Sequence, residues 1–378
     1  MTSIATKNEL RELFPVTRNL VYMNHAAVGP LSVRAYEAMR KFAEDQRDFG
    51  ALHWKQWYAE YERLRVSAAR LINAAPDEIA ILKNTSEGLS FVAEGFRWHQ
   101  GDNVVTTDLE FPSNYTPWKY LGRKGVECRV VESRDGGYMP HDVEKLIDSN
   151  TRIVTVSSVA FHNGFVADLD AIGAICRRRN VLLCVDAIQS LGAVPIDVQR
   201  SNISFLASDG HKWLCGPEGA AIFYVRGSDR DKLDVLEYGW SNIERRGKFL
   251  NSSTELLPDS RRFEAGSLNT TGIHGLRAAI DLLLEIGTDY VASEVVRVTT
   301  TLAEALESIG YRLGGPKPIR SGIIGAIPPS VDSQTLLRLH RKLEEAGIVT
   351  APREGMLRFS PHFYNDESDV EKVISVLR

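Results

Sequence analysis

Cysteine is scarce: only four occur among 378 residues, Cys128, Cys176, Cys184 and Cys215, and no two are spaced as CxxC. Neither a zinc site nor a disulfide framework is written into them, so a reducing compartment is the expected setting and no metal is expected. Net charge is nearly absent as well. Against 45 Lys and Arg stand 49 Asp and Glu, a balance of −4 that gives no general attraction to a nucleic-acid backbone or an anionic membrane. No apolar run approaches the roughly 18 residues needed to span a bilayer. The first residues, MTSIATKNELRELF, carry Glu9, Arg11 and Glu12 where a secretory signal needs an unbroken apolar stretch, so a cytoplasmic location is expected, with no membrane or nucleic-acid partner. Also missing are GxGxxG after a strand, GxxxxGK[ST], GxSxG and HExxH, which leaves dinucleotide binding, P-loop chemistry, serine hydrolysis and zinc-protease chemistry unsupported. Gly247-Lys248 resembles a P-loop ending, but Phe249 stands where the magnesium-binding hydroxyl belongs.

What is present is ordinary globular material, 43% apolar and 25% charged, with Gly and Pro scattered. The length suits two domains, or one large α/β domain with an appendage. From about 77 to 226, short Val- and Ile-rich runs alternate with segments of helical period, the pattern of a mostly parallel sheet covered by helices. Strands are expected at 79–82, 103–107, 127–131, 152–157, 181–185, 203–207 and 219–225, and helices at 86–98, 113–123, 140–148 and 168–179. Each β-to-α turn then lies at the carboxyl edge of the sheet, where α/β proteins bind ligands. After Tyr224 the regularity stops, and 227–262 reads as a polar, Arg-rich excursion. Helices at 271–286, 289–309, 333–346 and from Ser368, with strands at 322–327 and 356–360, describe a small α+β domain. The expected division is a large domain of 19–262 and a small domain of 1–18 and 263–378 that includes a connecting helix.

Two stretches are chemically informative, VLLCVDAIQSLG and FLASDGHKWLCGPEG. Asp186 ends an apolar strand and Lys212 follows the next, so both point into the loop edge of one sheet. Taken together, VDAIQ, HKW with GPEG behind it, NTSEG, EFPSN, RFEAGS and LRFSPHFYN resemble the class V aminotransferase group of fold-type I pyridoxal-phosphate enzymes. That group includes cysteine desulfurases, selenocysteine lyases, isopenicillin N epimerase-like proteins and, more distantly, kynureninase. The resemblance runs from about Tyr22 to the C-terminus. It implies an α/β fold with a mostly parallel seven-stranded sheet and a smaller α+β C-terminal domain. It also implies bound pyridoxal 5′-phosphate, an α-amino acid substrate, and a homodimer with active sites shared across the subunit interface.

Residue by residue, the resemblance assigns the Schiff-base amine and later proton shuttle to Lys212, and the carboxylate facing the pyridine nitrogen to Asp186. Gln189 matches the amide that bonds the cofactor phenolic oxygen. Asn84-Thr85-Ser86-Glu87 lies between a strand and a helix in a capping-box-like arrangement, with the amides of Thr85 and Ser86 free for the phosphate. His211 and Ser267 of the partner subunit match further phosphate positions. Phe111 falls where relatives stack His or an aromatic on the cofactor face, and Phe supplies a π-face without exchanging protons. Arg358 resembles the arginine that receives the substrate α-carboxylate as a bidentate fork. His53 and 24–30 match regions approaching the substrate, His53 across the dimer interface. Each residue type also has a plain structural reading: surface lysine, turn-capping glutamine, helix cap, core phenylalanine, strand arginine, helix-surface histidine.

The departures matter as much. Desulfurases need a mobile nucleophilic cysteine shortly before the carboxylate-binding arginine, and GIVTAPREGMLRFS contains none. Cys215 is expected to pack as a small apolar group. Asp209 stands where many relatives carry a phosphate-binding Ser or Thr, so it is expected to turn toward His211 or a backbone donor, and Ser208 is no assured substitute. Phe161 stands near where desulfurases place an asparagine, with Asn163 the nearest amide. The runs Arg177 to Arg179 and Arg245-Arg246 read as a helix C-terminus and a solvated or interface face. The leading expectation is a class V aminotransferase; the alternatives are a C–S lyase, an amino-acid epimerase, and a cofactor-binding sensor or carrier without catalysis.

Overall fold

Runs of Val, Ile and Leu become strands here because both of their faces are covered. The computed structural model describes residues 6–244, 254–329 and 333–378; Arg245-Arg246 and Gly247-Lys248-Phe249 lie outside them. After a two-residue strand β1 (Val21–Tyr22) come the seven expected ones: β2 (Ile79–Leu82), β3 (Asn103–Thr107), β4 (Glu127–Val131), β5 (Thr151–Ser157), β6 (Leu182–Asp186), β7 (Phe205–Asp209) and β8 (Ala221–Val225). They form one sheet in the order β2-β8-β7-β6-β5-β3-β4. Only β8 runs against its neighbours, so the sheet is mostly parallel. Along β6 the side chains alternate. Leu183 and Val185 join one apolar layer with Ile172 and Ile175 of the helix Leu169–Arg179, while Cys184 joins the opposite layer with Phe205 and Phe223. Two covered faces leave no polar half to the strand, which is why the sequence reads as an unbroken apolar run.

The expected boundary of β7 was two residues early. Ile203 and Ser204 still belong to the approach, and pairing with antiparallel β8 carries the strand on to Asp209, opposite Ala221. Asp186 and Asp209 therefore end adjacent strands at the same edge. The helix expected at 113–123 is broken into turns at Pro112–Asn114 and Leu121–Lys124 around a short helix Thr116–Tyr120, with proline in its first turn.

Two long helices that the sequence pattern did not suggest, Val33–Phe49 and Trp54–Ile72, precede the sheet. The helix Thr270–Ile286 packs on both of them. Its start is fixed by Asn269, whose Oδ1 accepts the Gly272 N–H at 3.0 Å. After the helix Thr288–Ser308, β9 (Arg312–Leu313), β10 (Ile324–Ile327), β12 (Ala351–Arg353) and β13 (Met356–Phe359) form a second, antiparallel sheet, and β11 (Ile348–Val349) pairs with β1. The first described residues pack at this end of the molecule. Arg11 Nη1 donates to the Tyr364 carbonyl at 2.8 Å and to Asp369 Oδ2 at 2.9 Å, beside the terminal helix Glu367–Leu377. Among the described residues no helix is long and apolar enough to cross a membrane.

Candidate active site

The carboxyl ends of β6 and β7 open into a cavity of about 350 Å³ that brings together eight of the expected residues: Thr85, Ser86, Phe111, Asp186, Gln189, His211, Lys212 and Arg358. Phe161, Asp209, Ser113 and Arg353 line it too. Ser267 and His53 do not reach it within one chain. Ser267 is exposed in the loop before Thr270. His53 sits at the start of the helix Trp54–Ile72, with Nδ1 2.7 Å from Asp45 Oδ1.

Asp186, the last residue of β6, is 2% exposed. One oxygen accepts the Ile188 N–H at 3.0 Å, and burial pushes the carboxyl up to about 6, against the pull of that bond and of the Lys212 ammonium. Lys212 follows the turn after β7, with Nζ 5.7 Å from the centre of the Phe111 ring. Gly29 fixes the backbone there: its N–H donates to the His211 carbonyl at 2.6 Å, and a Cβ would lie 2.1 Å from the Lys212 oxygen. Burial pushes the amine down to about 8, the cations Arg358 and Arg353 adding to the fall and Asp186 and Asp209 opposing it. A group titrating near 8 is about one-tenth free amine at pH 7 and about nine-tenths at pH 9. Capture of an aldehyde by the cofactor-free protein is therefore expected to quicken about tenfold between those values and to level off above them, by stopped-flow absorbance. A rate still climbing steeply beyond pH 10 would contradict this.

The end of the cavity expected to take the phosphate is a helix start. Asn84 Oδ1 accepts the Glu87 N–H at 2.9 Å, capping the helix Thr85–Gly95, and the first amides of that helix have no intrahelical partner. The expected capping box is only half made, because Glu87 accepts the N–H of Lys83, at 2.6 Å, instead of that of Asn84. Asn84→Ala is expected to cost about 1 kcal/mol of unfolding free energy in urea; an unchanged midpoint would show the cap to be idle. Thr85 Oγ1 accepts the Asp209 N–H at 2.9 Å and Ser86 Oγ bonds Ser113 Oγ at 2.8 Å, which joins the helix start to β7 and to the Phe111 loop. Asp209 turns as expected toward His211, whose Nδ1 lies 3.1 Å from Oδ2. Ser208 points instead to the Ala187 carbonyl.

Gln189 is locked by two bonds, Nε2 to the Ala26 carbonyl at 3.0 Å and Oε1 from Trp213 Nε1 at 2.9 Å, which leaves one amide hydrogen for the cavity. Arg358 on β13 is 2% exposed, yet it has no acidic partner among the described residues. Nη1 donates to the Phe161 carbonyl at 2.8 Å, Nη2 lies 3.4 Å from Asn24 Oδ1, and Nε is buried without a partner. Phe111 meets Phe161 edge to face at 5.2 Å. Asn163 is turned away, donating to the Gly136 carbonyl at 2.8 Å. Cys215 is buried and burial pushes its thiol far up, which makes it a packing group.

Two acidic or basic side chains escaped the sequence reading. Glu110 is buried behind Phe111, where Thr107, Asn114 and the N–H and hydroxyl of Ser157 all donate to it, and burial pushes it up to about 7. Its place beside Phe111 in EFPSN was the available signal. Arg353 was the other as an individual residue, although it falls in 350–358, one of the loops expected with 24–30 and 238–250 to line the substrate side-chain pocket.

The family profile described as Aminotransferase class-V matches residues 21–373. A probable cysteine desulfurase of Methanothermobacter thermautotrophicus is 30% identical over 396 residues, covering 96% of this chain and 95% of the relative. Among solved structures, the apo cysteine desulfurase from Thermococcus onnurineus superposes with a TM-score of 0.91 at 26% identity, over 100% of this chain and 98% of that one. The cystine C-S lyase C-DES, in complex with its reaction product cysteine persulfide, gives a TM-score of 0.90 at 25% identity, over 96% and 98%.

Proposed function

The chain belongs to the class V aminotransferase family, with the α/β fold its motifs lead one to expect, and on that premise we propose that it is a pyridoxal-phosphate enzyme acting at Cα of an α-amino acid. The observation that carries this reading is Arg358, a buried guanidinium with no acidic partner among the described residues, facing the same cavity as Lys212. A buried charge without a counter-charge is costly, and an α-carboxylate meets the fork geometry of guanidinium.

The donor set fits the cofactor. Asp186 has one oxygen bonded to Ile188 and the other to nothing among the described residues, which suits a protonated ring nitrogen. The remaining N–H of Gln189 suits the phenolic oxygen. The amides at Thr85 and Ser86, His211 and, in a homodimer, Ser267 of the partner subunit suit the phosphate. Phe111 offers an exposed ring face. When bound, pyridoxal phosphate supplies an electron sink for charge developing at Cα. Lys212 removes the Cα proton, as its lowered proton affinity allows near neutral pH. Asp186 holds the ring proton in place, Arg358 orients the α-carboxylate, and Phe111 and Phe161 wall the site with apolar surface. His53, placed outside the cavity of its own chain, acts across the interface.

Loss of the Cα proton leads to transamination, to elimination of a β-substituent, or to epimerisation. Transamination is the first reading, and elimination at a C–S bond the second, favoured by the likeness to the C-S lyase. An enzyme-bound persulfide has no place in it. The hairpin between β12 and β13 turns on Glu354 and Gly355 alone, and the segment GIVTAPREGMLRFS around Arg358 contains no cysteine. The test is incubation of the holoenzyme with amino acids in deuterated water, with and without a keto-acid acceptor. Deuterium at Cα is expected, together with acceptor-dependent amino transfer; pyruvate without acceptor selects elimination. Bound amino acid with no exchange at Cα would leave only the sensor or carrier reading.

A further inference from the structure

We propose that the cavity holds a second anion subsite at Arg353, which selects an α-amino acid whose side chain ends in a carboxylate. The inference rests on the proposed role of Arg358 and extends it to the other end of the substrate. In the β12–β13 hairpin Ala351 pairs with Arg358 and Arg353 with Met356. Paired residues of an antiparallel ladder share a face, so Arg353 and Arg358 are diagonal neighbours on one face, with Cα atoms about 7–8 Å apart. Both line the cavity. Glu354 and Gly355, at φ 45° and 74°, close the hairpin as a two-residue turn with left-handed backbone at both positions. Such a turn is short and fixes the register of the two arginines.

Neither carboxylate of the site forms an ion pair with Arg353. Asp209 lies 3.1 Å from His211 Nδ1, and Asp186 sits at the end of β6 with Ile188 on one oxygen. Arg353 has no acidic side chain within ion-pair distance among the described residues, and its Nη1 donates to the Pro352 carbonyl at 2.9 Å. Arg358 feels its neighbour's charge. One α-carboxylate occupies one fork, so a second carboxylate on the substrate is what answers the second. A neutral side chain in the same place meets Phe111 and Phe161 on one wall and makes no ion pair with the Arg353 guanidinium on the other.

The test titrates the cofactor-loaded protein with L-aspartate and L-glutamate and with their neutral isosteres L-asparagine and L-glutamine, following the visible absorption of the bound cofactor. At least one acid is expected to bind about tenfold or more tighter than its own amide, the scale of a charge-assisted fork. Arg353→Met keeps the apolar length and removes the charge; it is expected to bring the ratio to about one by weakening the acid alone. Arg353→Glu is expected to invert the order. Arg353 is exposed, so both variants are expected to keep the wild-type urea midpoint. Equal binding of acids and amides by the wild type, or a ratio that survives Arg353→Met, would overturn the subsite while leaving the Cα chemistry standing. An absorption band that no amino acid perturbs would remove the functional reading, and the subsite with it.

Discussion

Lys212→Ala is expected to lower turnover by about 10⁴-fold or more, since a positioned general base alone contributes about 10²–10⁴-fold and this amine also holds the cofactor. The two duties separate experimentally. Asp186, Gln189, His211 and the helix start at Thr85 all remain in the variant, so cofactor affinity is expected to fall far less than turnover. Small amines added to the variant are expected to restore part of the rate, because the cavity is open where the lysine stood. Kinetics under saturating cofactor, with and without added methylamine, check both points. A variant within tenfold of the wild type would show that another base removes the proton.

Arg358→Leu is the second large effect. Loss of a buried fork to a carboxylate is expected to reduce kcat/KM by about 10²–10³-fold, or about 3–4 kcal/mol. The loss should fall mainly on KM, because the α-carboxylate is bound equally in ground and transition states. Arg358→Lys is expected to recover only part of it: an ammonium returns the charge but not the planar pair of donors. Arg358 also serves the Phe161 carbonyl, so a structural defect must be told apart from a binding one. The cofactor spectrum answers that, as it is expected to stay unchanged in both variants while the amino-acid titration moves. A fall in kcat with KM unchanged would contradict the assigned role.

Much of this molecule is legible in its sequence for definite reasons. Six of the seven strands stand out because both faces of the sheet are buried there, edge strand β4 being mostly half-buried, and the strand order does not stand out, because crossovers leave no local trace. The helices Val33–Phe49 and Trp54–Ile72 were missed for opposite reasons. The first buries only Ala35 and Phe42, too few to mark a stripe. The second hides its stripe behind buried charge: Arg65 donates to Glu264 Oε2 at 2.7 Å and to the Ile79 carbonyl at 2.9 Å, tying the helix to edge strand β2. In the site, Asp186 and Lys212 were legible through the resemblance carried by VDAIQ and HKW, since an ionisable group at a strand end by itself reads as a solvated loop residue. Gln189 was legible only in type; its lock between Ala26 and Trp213 depends on residues far away in the chain. Arg353 acquires meaning only through the hairpin register that sets it beside Arg358. Ser267 and His53 lie outside the cavity of a single chain, so the roles expected of them require a second copy of the chain.

Covalent attachment of the cofactor to Lys212 can be read by borohydride reduction of the cofactor-loaded protein followed by peptide mapping. A single stoichiometric pyridoxyl adduct is expected on the peptide containing Lys212, absent without reduction and absent from Lys212→Ala. An adduct on another lysine, or none under saturating cofactor, would contradict it.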